Sequence, residues 1–246
     1  MRVLRGRAAT VEGDRAVVAE MLERTAETGE PAVRAWRPHR HLAFGRRDAV
    51  SDGYERASRV AERLGYRPVQ RSVGGRAVAY TGRTVSFGAT VPVADQRVGL
   101  DARYEWATDA LAGALRSLGV DAEDGEPPDS FCPGQHSLQR RGKLAGVAQR
   151  IQRGAALVAG VVLPDDHAQV AAVLEPVYEA LAVPFDPASV GSVAKAGGDG
   201  DPDTVARAVE EAFVERGAAS VDDGGSLDDD VTGDSADGVT IVRVGE

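Results

Sequence analysis

Residues 155–163 read Ala-Ala-Leu-Val-Ala-Gly-Val-Val-Leu, nine positions without a polar side chain. The run is far too short to span a bilayer. An apolar stretch of this length with no amphipathic alternation suits a strand covered on both faces, so Ala155–Leu163 is expected at the centre of a sheet.

The rest of the chain alternates between short strands and amphipathic helices. Val17, Val18, Met21, Leu22 and Thr25 recur at helical spacing before Gly29. Ala32–Trp36 and Leu42–Gly45 read as two strands around Pro38, Tyr54–Leu64 as a helix stopped by Gly65, and Pro68–Arg71, Ala77–Tyr80 and Val85–Val91 as strands between glycine turns. Asp101 is the expected N-cap of a helix striped by Tyr104, Leu111, Leu115 and Leu118 and ended by Gly119. A loop, Asp121–Ser130, leads to strands at Ser137–Arg140, Leu144–Ile151 and Ala155–Leu163. Asp165–Leu181 is expected to be helical with a kink at Pro176. Residues 183–201 read as irregular, and Pro202–Arg216 as a helix with Pro in its first turn and Gly217 beyond its end.

With 246 residues, 43% of them hydrophobic, the chain can bury one sizeable core. From Ala218 onward it turns acidic and rich in Gly and Ser, too polar to pack. The expected organisation is therefore a domain at 1–217 and an acidic, disordered tail at 218–246, with Val239–Val244 alternating weakly enough to leave an added strand open. A net charge of -9 argues against nucleic-acid binding. The first residues lack the apolar core of a leader, and no segment has the length of a membrane span. A single cysteine excludes an internal disulfide and fits a reducing cytoplasm. The acidity and the heavy use of Ala, Val, Gly, Asp and Arg point to a high-salt cytoplasm or a GC-rich genome.

That cysteine, Cys132, lies in Phe-Cys-Pro-Gly, a rigid and exposed turn. Eleven positions on is Lys143, one of two lysines in a chain with 27 arginines. An ammonium is a compact point charge with three donors, suited to a narrow place where a planar guanidinium does not fit. A thiolate accepts an acyl group when a nearby cation lowers its pKa, and Lys143, Arg140, Arg141 and His136 are near enough in sequence to supply that field. The plainer alternative is a small buried hydrophobe and a solvated turn. If Lys143 reaches an open pocket, its removal should leave stability nearly unchanged. The Gly74-Gly75 pair, flanked by Arg71 and Arg76, allows backbone to approach a carboxylate or phosphate, or is only a hairpin turn. The four histidines show no metal spacing, and no metal site is expected.

Three blocks occur in a fixed order: Trp36…Leu42-Ala43-Phe44-Gly45-Arg46, then Arg71-Ser72-Val73-Gly74-Gly75-Arg76-Ala77-Val78, then Gly142-Lys143-Leu144-Ala145-Gly146-Val147-Ala148-Gln149-Arg150. Over roughly residues 30–195 this order resembles the lipoate–protein ligase / octanoyltransferase / biotin protein ligase superfamily. The Phe131-Cys132-Pro133-Gly134 turn brings it nearest the cysteine-dependent octanoyl and lipoyl transferases. The resemblance implies an α+β fold, a mixed and mainly antiparallel sheet flanked by helices. It also implies transfer of an octanoyl or lipoyl group to a lysine of a lipoyl-carrier domain, such as the H protein or a 2-oxoacid dehydrogenase E2 subunit. The donor would be an acyl-carrier protein, an H protein or free lipoate.

In this reading Cys132 is the nucleophile, and Lys143 holds the acyl carbonyl and favours the thiolate. Arg71, Ser72, Gly74, Gly75, Arg76, Ala77, Val78, Gly146, Ala148 and Gln149 line the substrate site. The thioester route needs no cofactor. The alternative, an ATP-dependent lipoate–protein ligase, needs ATP and Mg; against it, Val73, Arg76 and Tyr80-Thr81 replace the serine, third glycine and His-Asp usual in ligases. A biotin ligase block, Gly-Arg-Gly-Arg-x-Gly, is not apparent, and a non-catalytic module that binds an acylated carrier is the reading from another class.

Overall fold

The computed structural model describes residues 1–71, 75–217 and 238–245. In chain order the elements are β1 (Arg2–Gly6), α1 (Val11–Thr28), β2 (Ala32–Trp36), β3 (His41–Phe44), α2 (Arg46–Ala49), α3 (Tyr54–Arg63), β4 (Pro68–Gln70), β5 (Val78–Tyr80), β6 (Val85–Val93) and α4 (Leu100–Ser117). There follow β7 (Glu123–Asp124), β8 (Ser137–Gln139), β9 (Lys143–Gln152), β10 (Gly154–Val162), α5 (His167–Leu181), a 3₁₀ turn (Pro187–Ser189), α6 (Val193–Ala196), α7 (Pro202–Arg216) and β11 (Thr240–Val244).

Eight strands form one sheet in the order β11-β1-β2-β6-β10-β9-β8-β7, and a smaller sheet runs β4-β3-β5. In the large sheet only the β1 pairings with β11 and β2 are parallel. The fold is the expected mixed, mainly antiparallel sheet flanked by helices. The apolar run is β10, between β6 and β9. Its alternate residues serve two cores. Ala156, Val158 and Val162 pack with Leu111 and Leu115 of α4 and Val209 and Phe213 of α7. Ala155 and Leu157 pack on the other face with Leu22 of α1. A strand with helices on both sides gains nothing from a polar residue at any position, which is why it reads as unbroken hydrophobe. The small sheet builds a second core with α3 and α5, around Phe44, Ala57, Leu174 and Tyr178.

Local chemistry sets the helix ends. The Thr10 side chain accepts the Gly13 N–H at 3.0 Å to start α1, and Gly29 ends it in the left-handed region at φ 72°. Asp201 accepts the Thr204 N–H at 2.9 Å to start α7. Two expectations need correction. The cap of α4 is Gly99, at φ 73°, not Asp101, which lies within the first turn and complements its dipole. The stretch 183–201 is not wholly irregular, since it holds the 3₁₀ turn and α6.

The end of the chain bears on the expected tail. Thr240–Val244 pairs in parallel with β1 over five residues, and Val242 and Val244 pack against Leu4 and Met21. These residues are an edge strand, not part of a detached tail; 218–237 lie outside the described residues. Truncation after Gly217 is predicted to expose Leu4 and strip one side of β1. The loss of two half-buried valines and their ladder should cost about 1–3 kcal/mol, seen as a thermal midpoint lower by about 3–10 °C. An unchanged midpoint would show that β11 contributes nothing to the sheet.

Candidate active site

A cavity of about 910 Å³ opens between the α1 face of the large sheet and the small sheet. Its walls include Val18 and Leu22 of α1, Phe87 of β6, Leu157 of β10 and Val78 of β5, and its rim carries Cys132. That size and this apolar lining suit a small ligand with an alkyl body.

Cys132 is half-buried and sits in the left-handed region at φ 43°. A non-glycine residue held there costs on the order of 1–3 kcal/mol and needs support. Support comes from Tyr178 on α5, whose hydroxyl accepts the Cys132 N–H at 2.7 Å and donates to the Ala77 carbonyl at 3.0 Å. The turn is thereby tied to the end of β5. The Gly75 backbone passes beside the thiol: a side chain there would place its Cβ 3.8 Å from Sγ.

The cation against the thiol is Arg71. Its Nη2 lies 3.1 Å from Cys132 Sγ and also donates to the Arg76 carbonyl. Burial by itself raises the Cys132 pKa. Arg71, a backbone hydrogen bond from Arg76 and the Lys143 ammonium more than offset this, leaving the thiol below its ordinary value. Of the cations expected from sequence proximity, only Lys143 contributes. Arg140 pairs with Glu123, Arg141 turns toward the Lys195 carbonyl, and His136 stacks on Tyr104 with ring centroids 3.6 Å apart. Arg140 and Arg141 follow β8 into an exposed turn, whereas His136, just before β8, lines the cavity but is held against the Tyr104 ring.

Lys143 is 1% exposed. Its Nζ meets both Glu126 oxygens, at 3.0 and 2.9 Å, the Phe131 carbonyl at 3.1 Å and the Cys132 carbonyl at 3.0 Å. Three donors among four acceptors leave none free, so an acyl carbonyl reaches this ammonium only by displacing a partner. Glu126 also accepts from Ser130 Oγ, from Ser137 Oγ at 2.5 Å and from the Gly134 N–H at 3.2 Å. Ser130 and Gly134 stand two residues before and after Cys132, so this carboxylate holds both arms of the cysteine turn. Gly146 lies under the lysine, where a Cβ would come within 3.2 Å of Lys143 Cε.

The expected site residues divide. Arg71, Gly75, Val78, Gly146 and Ala148 line the cavity together with Cys132 and Lys143. Arg76 does not; it pairs at 3.1 Å with Asp48, a carboxylate with no exposure that also takes the Gly45 N–H. Ala77 is buried in the small-sheet core. Gln149 faces α4, accepting from Arg103 Nε at 3.0 Å and donating to the Leu100 carbonyl at 2.8 Å. Ser72 and Gly74 lie outside the described residues. Glu126, Tyr178 and Asp48 carry no sequence signal that separates them from an acidic loop, a helix core position and a turn. Among the described residues, no group of His, Cys, Asp and Glu is arranged to hold a metal ion, and no helix is long and apolar enough to cross a membrane.

The large mixed sheet and its small companion thus enclose one cavity, lined by Cys132 and Lys143. Residues 15–214 match the profile of the lipoyl protein ligase A/B catalytic domain, and the chain belongs to that family. It is 30% identical over 130 residues to the octanoyl-[GcvH]:protein N-octanoyltransferase of Geobacillus kaustophilus, covering 52% of this chain and 46% of that protein. With the Kyrpidia tusciae protein of the same name the identity is 33% over 150 residues, 60% of this chain and 51% of that one. The lipoyl-[GcvH]:protein N-lipoyltransferase of Listeria monocytogenes is 27% identical over 119 residues, 48% and 43%. The chain thus spans about half the length of the curated relatives it matches. Its fold is shared with a lipoate-protein ligase A bound with ATP, at a TM-score of 0.70, 22% identity and coverage of 87% and 84%. It is shared also with the bi-partite lipoate protein ligase of Thermoplasma acidophilum, at 0.62, 21%, 87% and 82%.

Two outcomes follow from the geometry. Arg71→Met removes the charge that offsets burial, so the Cys132 pKa rises and the pH profile of iodoacetamide alkylation moves to higher pH. At neutral pH the rate should fall roughly tenfold for each unit of that rise; an unmoved profile would mean that the field comes from elsewhere. Lys143→Ala leaves the Glu126 carboxylate without its ammonium. The cost should sit toward the lower end of roughly 3–5 kcal/mol, because Glu126 keeps 21% of its side-chain exposure. Denaturant unfolding measures it, and a neutral result would favour the solvated, open-pocket lysine that the sequence left open.

Proposed function

We propose that this chain is a cysteine-dependent acyltransferase that moves an octanoyl or lipoyl group to a lysine of a lipoyl-carrier domain. The observation that carries the reading is the Arg71 guanidinium 3.1 Å from Cys132 Sγ at the mouth of an apolar cavity. Buried cationic support of this kind is what a nucleophilic thiol needs and a structural cysteine does not. The names of the relatives support the same chemistry and suggest the glycine-cleavage H protein as donor or acceptor.

In the first half-reaction the Cys132 thiolate adds to the acyl carbonyl of a thioester or acyl-lysine donor. The adduct collapses, the donor's thiol or amine leaves with a proton, and the acyl group stays as a thioester on Sγ. In the second, the acceptor lysine's amine adds to that thioester and loses its proton, the Cys132 thiolate leaves, and an amide remains. No cofactor enters either step. Tyr178 and Glu126 hold the turn so that Sγ points to the cavity, and Lys143 adds positive charge where the carbonyl oxygen gains negative charge. Val18, Leu22 and Leu157 would cover the alkyl chain. A lone thiol doing this work fits a reducing cytoplasm.

The ATP-dependent ligase reading would need ATP and Mg and would leave Cys132 dispensable. Incubation with octanoyl donor followed by intact-mass spectrometry separates the two. The expected result is an octanoyl adduct on Cys132, absent from Cys132→Ala, together with loss of transfer in that variant. Full transfer by Cys132→Ala with free lipoate and ATP would overturn the proposal. A chain that turns over neither donor would be a carrier-binding module.

A further inference from the structure

The cavity rim differs in charge from the rest of the molecule. The chain carries 38 acidic and 29 basic residues. The exposed charged residues that line the cavity are nevertheless Arg15, Arg47 and Arg150 against a single carboxylate, Asp101. Elsewhere many arginines are paired: Arg5 with Glu210, Arg37 with Asp203, Arg67 with Glu12, Arg83 with Asp165. Arg47, at the start of α2, and Arg150, on β9, have no ion-pair partner among the described residues.

One apolar side chain of this rim stands in water: Leu100, at the start of α4, lines the cavity and is 47% exposed. Close to rim residues in sequence, Val98 is 51% exposed and Val50, three residues after Arg47, is 86% exposed. An acidic protein gains solubility from pairing or omitting surface arginines, so unpaired ones beside bare aliphatic groups mark a surface kept for something else. Arginines and apolar residues around a pocket also match the make-up of protein interfaces.

We infer that Arg47, Arg150 and the Val98–Leu100 edge dock an acidic face of the carrier domain, placing its target lysine over Cys132. This rests on the acyltransfer reading above, which requires a folded carrier to bring an amine to a thiol at the cavity mouth. Attraction between an arginine rim and a carboxylate-rich partner would orient the encounter before any atom reacts, and it would be screened by salt.

The test uses the full chain, the charge-reversed variants Arg47→Glu and Arg150→Glu, apo H protein as the carrier, and octanoyl-N-acetylcysteamine as a small uncharged donor. Both arginines stand at the cavity lining, but no hydrogen bond or ion pair joins either to Cys132, Lys143 or Arg71, so the reversals should change loading of Cys132 from the small uncharged donor far less than transfer to the carrier. Transfer from loaded enzyme to the carrier should show KM raised roughly tenfold or more with kcat nearly constant, and wild-type kcat/KM should fall between about 0.05 and 0.5 M salt. Carrier binding to unloaded enzyme, followed by fluorescence anisotropy, should weaken in step. Normal loading with unchanged KM, binding and salt response would overturn the docking surface and leave the acyltransfer reading standing. A wild-type chain that never loads would overturn acyltransfer, and the anisotropy would still decide docking: salt-sensitive binding weakened by both reversals upholds it, and no binding removes it.

Discussion

The site depends on one buried cation. Taking an ammonium out of water costs several kcal/mol unless it is paired and hydrogen-bonded. Lys143 meets that condition with a carboxylate and two main-chain carbonyls. The carbonyls belong to Phe131 and Cys132, so neutralising the lysine and shaping the Cys132 turn are one event. Glu126 extends the arrangement to Ser130 and Gly134. The Gly142 turn that delivers the lysine is itself pressed against Gly191, where any Cβ would meet backbone. The unusual backbone angle at Cys132 follows from these ties and from Tyr178.

A second constraint is the division of labour along the central strand. β10 commits alternate residues to the helical core of α4 and α7 and to the face shared by α1 and the cavity. The first face supplies the stability. The second is left incompletely filled, since α1 covers one part and the small sheet another. Gly160 shows how tight the neighbouring strand contacts are: a Cβ there would fall 2.1 Å from the Gly146 carbonyl and 2.6 Å from the Phe87 ring. The cavity is therefore a property of the layer arrangement and not of any single loop.

Legibility in the sequence tracked the range of the interactions. The helix α7 has the expected bounds because Asp201, Pro202 and Gly217 are local signals. The central strand was legible because nine apolar residues have few other solutions. β1 was not anticipated: five residues with two arginines, RVLRG, look like a loop, and only pairing with β2 and β11 makes them a strand. Arg76, Ala77 and Gln149, which the family resemblance puts at the substrate site, turn elsewhere: Arg76 to Asp48 and Ala77 into the small-sheet core. Gln149 lies on β9 between the cavity-lining Ala148 and Arg150, so its side chain takes the opposite face and meets Arg103.

The sequence by itself determined the sheet-and-helix class and carried the family resemblance later matched by the family profile, because periodicity, glycine turns and the Gly-Lys-x-x-Gly block are local and survive without coordinates. Which cation faces the thiol was decided only by tertiary structure. Arg71 and Cys132 are 61 residues apart, and Coulomb attraction depends on separation in space and on the loss of water between the charges, neither of which the order of residues along a chain records.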